Sequence, residues 1–417
     1  MRHRWTVALI AGALAACAGA PAPLAIVGAT VIHDPMAPAL EDAIVVVRDG
    51  RVVALGPRGR VDVPPAARVV AGEGKWLIPG LWDMHVHLTD AAELAAPVLL
   101  ANGVTGVRDM GGDLQLVEGM ERRRREGDLA APRIVTAGPY VDGPKPGLPY
   151  RITVETAAQG RAAADSVRAL GADFIKVHNG VPAPAFFALL ERASELGLPV
   201  AGHVPLEVDP AAAARAGMAS LEHFVTLFEG TLRERTSGIE SLESYLATGL
   251  DTLARAIAAT DAFFTPTAYT YRIRARRGEL ADRPDPRLRY VARSLREQWD
   301  EWYPVQAQDR DPRIAELRTE FYHLGLRVVG RLHEAGVPIL AGTDLAGRDV
   351  LPGFHLHDEL AALVDAGLTP ARALAAATTT PARLLGADSL GAIAVGGRAD
   401  LVILDADPRQ DIRNSRR

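Results

Sequence analysis

Six residues of this 417-residue chain stand where short apolar runs end and carry side chains able to hold metal: His85 and His87 in GLWDMHVHL, Lys176 in GADFIKVHNG, His203 in LPVAGHVP, His223 in ASLEHF and Asp344 in GVPILAGTDLAG. Imidazole nitrogens with a carboxylate make a borderline N/O donor set suited to zinc, and also to manganese, cobalt, nickel or iron. Residues two apart on a strand point the same way, so His85 and His87 can reach one ion, at roughly 2.0–2.1 Å for zinc. Taken singly, each has an ordinary alternative: polar residues leaving a strand, a snorkelling or salt-bridged lysine, a satisfied core histidine, an aspartate in a turn. All those alternatives would have to hold together at the ends of five different strands. A shared site explains them at once.

The elements that would position these residues follow from hydrophobic periodicity. Candidate strands are Leu81–His85, Val104–Val107, Ile134–Ala137, Phe174–Val177, Pro199–Ala201, Ser220–Glu222, Phe263–Pro266 and Val337–Ala341. Helical patterns separate them, such as Glu155–Leu170 and Ala185–Leu196, closed by Gly171 and Gly197. Strict alternation of strand and helix means parallel β-structure. A doubly wound sheet usually carries a Gly-rich phosphate loop after its first strand, whereas here the first strand ends in His-X-His, so the expectation is α/β, a (β/α)₈ TIM barrel over residues 80–387. In such a barrel, catalytic groups gather at the C-terminal strand ends. Two long connections, Phe224–Leu250 and the Arg-, Trp- and Tyr-rich Ala268–Glu320, are expected to be loops shaping a pocket.

Outside the barrel, AIVVVRDGRVVALG reads as a hairpin about Asp49-Gly50, ARVVAGEGKWLIPG repeats the rhythm with Gly72 and Gly74, and Gly396-Gly397 separates two short strands near the far end. Residues 23–79 and 388–417 are therefore expected to build one small β-sandwich domain from both termini. Arg2, Arg4 and the apolar Trp5–Ala16 read as an export signal, too short to span a bilayer, so residues 1–22 form a signal peptide and tether. Leu14-Ala15-Ala16-Cys17 resembles a bacterial lipoprotein box. Cys17 is the chain's only cysteine, which excludes an intrachain disulfide and makes it a candidate lipid acceptor. The expected location is the periplasm or cell envelope, with membrane attachment through that anchor alone. Processing that removes Arg2 and Arg4 would take the formal charge from −5 to −7.

With 48% hydrophobic residues the chain can bury a full core, and 46 basic against 51 acidic residues give no reason to expect nucleic acid as a partner. The run Glu121-Arg122-Arg123-Arg124-Arg125-Glu126 reads as a solvated helix face. Self-assembly is left open, since no segment identifies an interface.

From LIPGLWDMHVHL through FIKVH, AGHVP, LEHF and AGTDLAG to HDELAALVDAGLTPARALAAATTTPARLLG and GRADLVILDADP, the chain resembles the amidohydrolase superfamily. It is close to the imidazolonepropionase-like group that contains metal-dependent dipeptidases and prolidase-like enzymes. The resemblance implies two divalent metal ions, most readily zinc. His85, His87 and Asp344 would hold the first, His203 and His223 the second, and a carboxylated Lys176 would bridge them. It further implies hydroxide attack on the carbonyl of a small amide, a dipeptide or N-acyl amino acid, with Asp344 shuttling the proton. Related barrels open lactones and phosphate triesters, and one-metal relatives deaminate. In the deaminase pattern lysine is absent and a glutamate closely follows the fifth-strand histidine, whereas here Lys176 is present and Glu207 lies four residues beyond His203. A lipid-anchored binding protein that has lost catalysis should lack a ligand, and none is missing. Candidate substrate-binding residues are Tyr140, His178, Tyr269 and Arg348; Arg348 could pair with a substrate carboxylate or form a surface salt bridge. His355 and His357 are expected to orient a loop rather than bind metal.

If Cys17 is lipidated, cells fed a palmitate analogue will label the chain, and Cys17→Ser will abolish the label; undiminished labelling of the variant contradicts the assignment.

Overall fold

The computed structural model describes residues 22–144, 149–230 and 247–417. The export signal and Cys17 lie outside the described residues, as does most of the connection after Phe224.

The chain begins with β1 (Leu24–Val31), β2 (Leu40–Arg48), β3 (Arg51–Pro57), β4 (Arg68–Ala71) and β5 (Trp76–Pro79). A strand from the other end of the sequence, Leu401–Leu404, pairs antiparallel with β5. The turn between β2 and β3 places Asp49 and Gly50 at φ +50° and +70°, as a two-residue type I′ hairpin requires. β4 and β5 do not form the second hairpin that the glycine rhythm suggested. Both run parallel to β1, one after the other along its length, with a break in register around Gly28. Gly396-Gly397 likewise does not join two strands. It packs against β3, where Gly396 N–H donates to Val52 O and Val52 N–H donates to Gly397 O. The expected sandwich takes the form of one continuous six-stranded sheet with an apolar cluster on each face, since Ile26, Val45 and Leu77 group apart from Ala25, Ile44 and Val46.

β6 (Leu81–Val86) opens the barrel, followed by β7 (Val104–Asp109) and β8 (Arg133–Thr136), which form one parallel run. A second run contains β9 (Tyr140–Asp142), β10 (Arg151–Thr153), β11 (Ile175–Val177), β12 (Val200–Gly202), β13 (Ser220–Glu222) and β14 (Phe263–Thr265). β9 and β10 are an extra parallel pair that periodicity did not suggest, being only three residues each. Val337–Ala341 is not a regular strand, yet it closes the ring. Leu340 N–H donates to Phe264 O, and Met84 N–H donates to Ala341 O, both at 2.9 Å. The chain beyond it bridges back to β6 at Val86 and Leu345. The result is the TIM-barrel-like fold.

The helix expected over Glu155–Leu170 runs Ala157–Leu170, started by a Thr156/Gln159 capping box and stopped by Gly171 at φ +84°. Its neighbour runs Ala183–Glu195. The Arg-rich run ends helix Leu114–Glu126, and its cations pair locally, Arg124 and Arg125 with Glu121. The long connection from Ala268 is a correction: it folds mainly as the helices Ala268–Ala275, Arg277–Asp282, Arg293–Trp302 and Pro312–Ala335. Asp311 caps the last one by accepting from Arg313 N–H, and Pro312 fills its first turn. No helix among the described residues is long and apolar enough to cross a membrane.

Trp82 of β6 lies over Gly106 of β7, where a β-carbon would fall 2.2 Å from the indole. Gly106→Ala should therefore cost about 1–3 kcal/mol by overpacking, against the gain of under about 1 kcal/mol that Gly→Ala brings where space allows. Denaturant unfolding distinguishes the two signs.

Candidate active site

β6, β11, β12 and β13, with the turn after Ala341, deliver the six residues to one opening at the C-terminal ends of the strands. His87, Lys176, His203, His223 and Asp344 line a cavity of about 540 Å³, and His85 is fully buried behind them. The His85 ring lies 5.5 Å from that of His87 and 4.6 Å from that of His223, which is itself 4.6 Å from His203. His85 Nε2 and His87 Nε2 stand 3.6 and 3.7 Å from the same Asp344 oxygen. These three residues form a compact cluster able to hold a cation.

The hydrogen bonds around the rings decide which nitrogens are free. His85 Nδ1 lies 2.8 Å from Glu222 Oε2, an acceptor, so it carries the proton and leaves a lone pair on Nε2. That Nε2 is buried and has no hydrogen-bond partner. His87 Nδ1 meets the Gly111 carbonyl at 3.2 Å, again leaving Nε2 as the acceptor. His223 Nδ1 is engaged by Thr267 Oγ1 at 2.7 Å, and His203 Nδ1 is a second buried nitrogen without a partner. A buried acceptor normally finds a donor, so the orphaned His85 Nε2, set with His87 Nε2 beside one carboxylate oxygen, fits a metal. Burial, reinforced by neighbouring cations, holds His85, His203 and His223 well below the usual imidazole range, in the neutral form that binds metal.

Lys176 is 1% exposed, and burial brings its ammonium down to about 8 against the opposing pull of Glu222 and Asp344. The neutral amine is thus accessible at mildly alkaline pH. Gly202 makes room for it: at φ +135°, a β-carbon there would sit 2.1 Å from Val177 O and 3.0 Å from Lys176 Cδ. His223, Thr267 and Asp344 all have positive φ, a conformation that costs non-glycine residues of order 1–3 kcal/mol each and that clusters here.

Beneath the site lies a charged layer that the sequence reading missed. Arg108 of β7 donates to Glu222 Oε1 at 2.7 Å and to the Met84 carbonyl at 2.8 Å, and Ser220 Oγ donates to the same Glu222 oxygen. Asp83 accepts from Thr343 N–H and Oγ–H and from His85 N–H, and burial raises its carboxyl to about 7. Asp109 accepts from Leu88 N–H and Thr136 Oγ–H. The available signal was charge inside apolar strands, Asp83 in LWDMHV and Arg108-Asp109 in VTGVRD.

Of the substrate-binding candidates, Tyr140 and His178 line the cavity. Tyr140 OH lies 3.3 Å from His87 Nδ1, while burial, with Lys176 nearby, lowers His178 to about 4. Tyr269 is a correction. Its ring packs 5.0 Å from His355, and Tyr271 lines the cavity in its place. The left-handed Thr267 starts a helix whose first amides, Ala268 and Tyr269, donate to Glu359. Arg348 lines the cavity, but its guanidinium already donates to Trp299 O, Tyr303 O and Asp300. His355 accepts from Leu351 N–H, and His357 bonds Ser415 Oγ and Asn102 O, so both stabilise loops. Glu207 accepts from Ala183 N–H.

Comparison with known proteins adds four findings. The amidohydrolase family pattern matches residues 76–417. An uncharacterized protein of Mycobacterium tuberculosis is 28% identical over 378 residues, which cover 84% of this chain and 85% of its own. Among solved structures, bottromycin amidohydrolase superposes with a TM-score of 0.76 at 28% identity, over 95% of this chain and 85% of that one. A prolidase complexed with N-methylphosphonate-L-proline superposes with a TM-score of 0.68 at 22% identity, over 95% of each chain, a likeness of fold.

Glu222→Gln keeps the shape but removes the charge that fixes the His85 proton and balances Arg108. Metal affinity should fall about 10–100-fold, as for other groups that orient a ligand. Competition with a chelator reads this, and unchanged affinity would mean that Glu222 does not orient His85.

Proposed function

Because this chain belongs to the amidohydrolase family, whose members are metal-dependent, we propose that it is a binuclear metal hydrolase that cleaves the C–N bond of a small amide, a dipeptide or N-acyl amino acid. The observation that carries this is the gathering of His87, Lys176, His203, His223 and Asp344 on one cavity with His85 buried behind them, while His85 Nε2 and His203 Nδ1 are buried without a hydrogen-bond partner. His85, His87 and Asp344 would hold one ion, His203 and His223 the other, and Lys176 as its carbamate would serve both. Two divalent ions so held supply polarisation of the substrate carbonyl and a lowered pKa for water.

The protein's own groups do the rest. Asp344, reached from His85 and His87 and open to the cavity, takes a proton from the attacking water and returns it to the leaving nitrogen as the C–N bond breaks. One water is consumed, and a carboxylic acid and an amine are released. Glu222 fixes the His85 ring, and Tyr140 stands where its phenol can donate to a developing oxyanion. Glu207, the residue a one-metal deaminase would need near His203, is engaged at the start of helix Ala183–Glu195, which favours hydrolysis. The proposal extends to export, on the strength of the N-terminal sequence alone.

Purified protein should carry about two transition-metal ions per chain and hydrolyse amides from a panel of dipeptides, N-acyl amino acids and lactones. Lys176→Ala should lose at least about 100-fold in kcat/KM, and short-chain carboxylic acids should restore part of it by occupying the carbamate position. A metal-free active enzyme, or full activity in Lys176→Ala, contradicts the proposal. Hydrolysis of lactones alone replaces the amide by an ester.

A further inference from the structure

The helical segment from Ala268 carries four arginines in a short stretch, and they are used unequally. Arg272 lies over the Tyr322 ring, and Arg276 pairs with Glu279 at 2.9 Å. Arg274, half exposed near the end of one helix, and Arg277, at the start of the next, both line the active-site cavity. Arg277 makes no hydrogen bond or ion pair among the described residues, although it is more than half buried and desolvation lowers its pKa. Arg274 stacks 4.9 Å from the centre of the Tyr271 ring, and its nearest acid is Asp344, 4.0 Å away.

The other charged groups of the cavity are accounted for. Lys176 and Asp344 belong to the metal site proposed above, Arg348 gives one terminal nitrogen to Asp300 and two carbonyls while its buried Nε stands 3.6 Å from Asp349, and Asp90 accepts from Gln298. What remains is Glu229 against two guanidinium groups, a net positive surface. Trp299, Trp302 and Tyr303 line the same cavity, and apolar walls strengthen a charge contact made beside them. A cation that is partly desolvated and unpaired costs free energy unless an anion arrives to meet it.

We propose that Arg274 and Arg277 form an anion subsite that binds the free carboxylate of the substrate. Arg274 lies 4.0 Å from the carboxylate proposed to return the proton to the leaving nitrogen, which puts the subsite on the leaving-group side. This rests on the amide-hydrolase reading and narrows it. The substrate class is a dipeptide or N-acyl amino acid with a free α-carboxylate on the leaving-group side, rather than a blocked peptide or an internal peptide bond. Bidentate guanidinium contacts suit a planar carboxylate and are lost on a neutral carboxamide.

The test uses the metal-loaded full chain and a phosphinate isostere of a dipeptide, which is not hydrolysed, prepared as its α-carboxylate and as its α-carboxamide. Calorimetric titration should give the carboxylate at least about 30-fold tighter binding in the unaltered protein, in line with loss of a charge-assisted contact. Arg277→Met and Arg274→Met should each bring that ratio to within about threefold, while Arg276→Met, which removes an equal charge that is already paired, should leave it unchanged. Equal binding of the two forms, or a preference that survives both variants, overturns the subsite. Turnover of the matching dipeptide and its amide separates the two ideas. Carboxylate preference in binding without turnover of either amide defeats the hydrolase reading and leaves the subsite standing, whereas equal turnover of both defeats the subsite alone.

Discussion

The whole site hangs on one buried ion pair, Arg108 of β7 with Glu222 of β13, which links two strands that are not neighbours in the barrel. A buried carboxylate is tolerated only when its lone pairs are filled, and Glu222 is filled by Arg108, Ser220 and His85 together. Because His85 Nδ1–H donates a hydrogen bond to that carboxylate, its other nitrogen is left as a bare acceptor beside Asp344. Removing the glutamate would strand a guanidinium in the interior and unfix the ring in the same stroke. The interaction that makes the core permissible is therefore the one that makes the centre competent.

Backbone strain is concentrated in the same place. His223, Thr267 and Asp344 hold positive φ without being glycine, and each is fastened by a specific contact: His223 by Thr267 Oγ1, Asp344 by its N–H to His85 O. The barrel's apolar layers supply the stability that lets these turns persist. Helices from the segment after β14 then roof the cavity and bring arginines and tryptophans to it, so that barrel and roof divide the work: one holds the reacting centre, the other meets the substrate.

Much of this was legible in sequence where a local pattern maps onto a single physical demand. Asp49-Gly50 specifies positive φ twice and gave its hairpin; Gly171 marked the end of one helix, whose start lies two residues past the expected Glu155. The metal-site candidates were legible because polar residues ending apolar strands are rarely coincident. What escaped was set by contacts distant in sequence. β4 and β5 alternate like hairpin strands, but each pairs with a different stretch of β1 instead of with the other. Val337–Ala341 has a strand's composition and only bridge-like pairing. Tyr269 follows a strand as a pocket residue should, but the strained turn at Thr267 aims Tyr271 inward instead. Glu222 stood within a recognised strand, and its role depends on Arg108, 114 residues away.

The central claim is that these six residues hold two metal ions, and a crystal structure of the metal-loaded enzyme with anomalous scattering tests it most directly. The account predicts two anomalous peaks, one among His85, His87 and Asp344 and one between His203 and His223, with density for a carboxylated Lys176 joining them. A single peak, or metal bound away from Lys176, would contradict it.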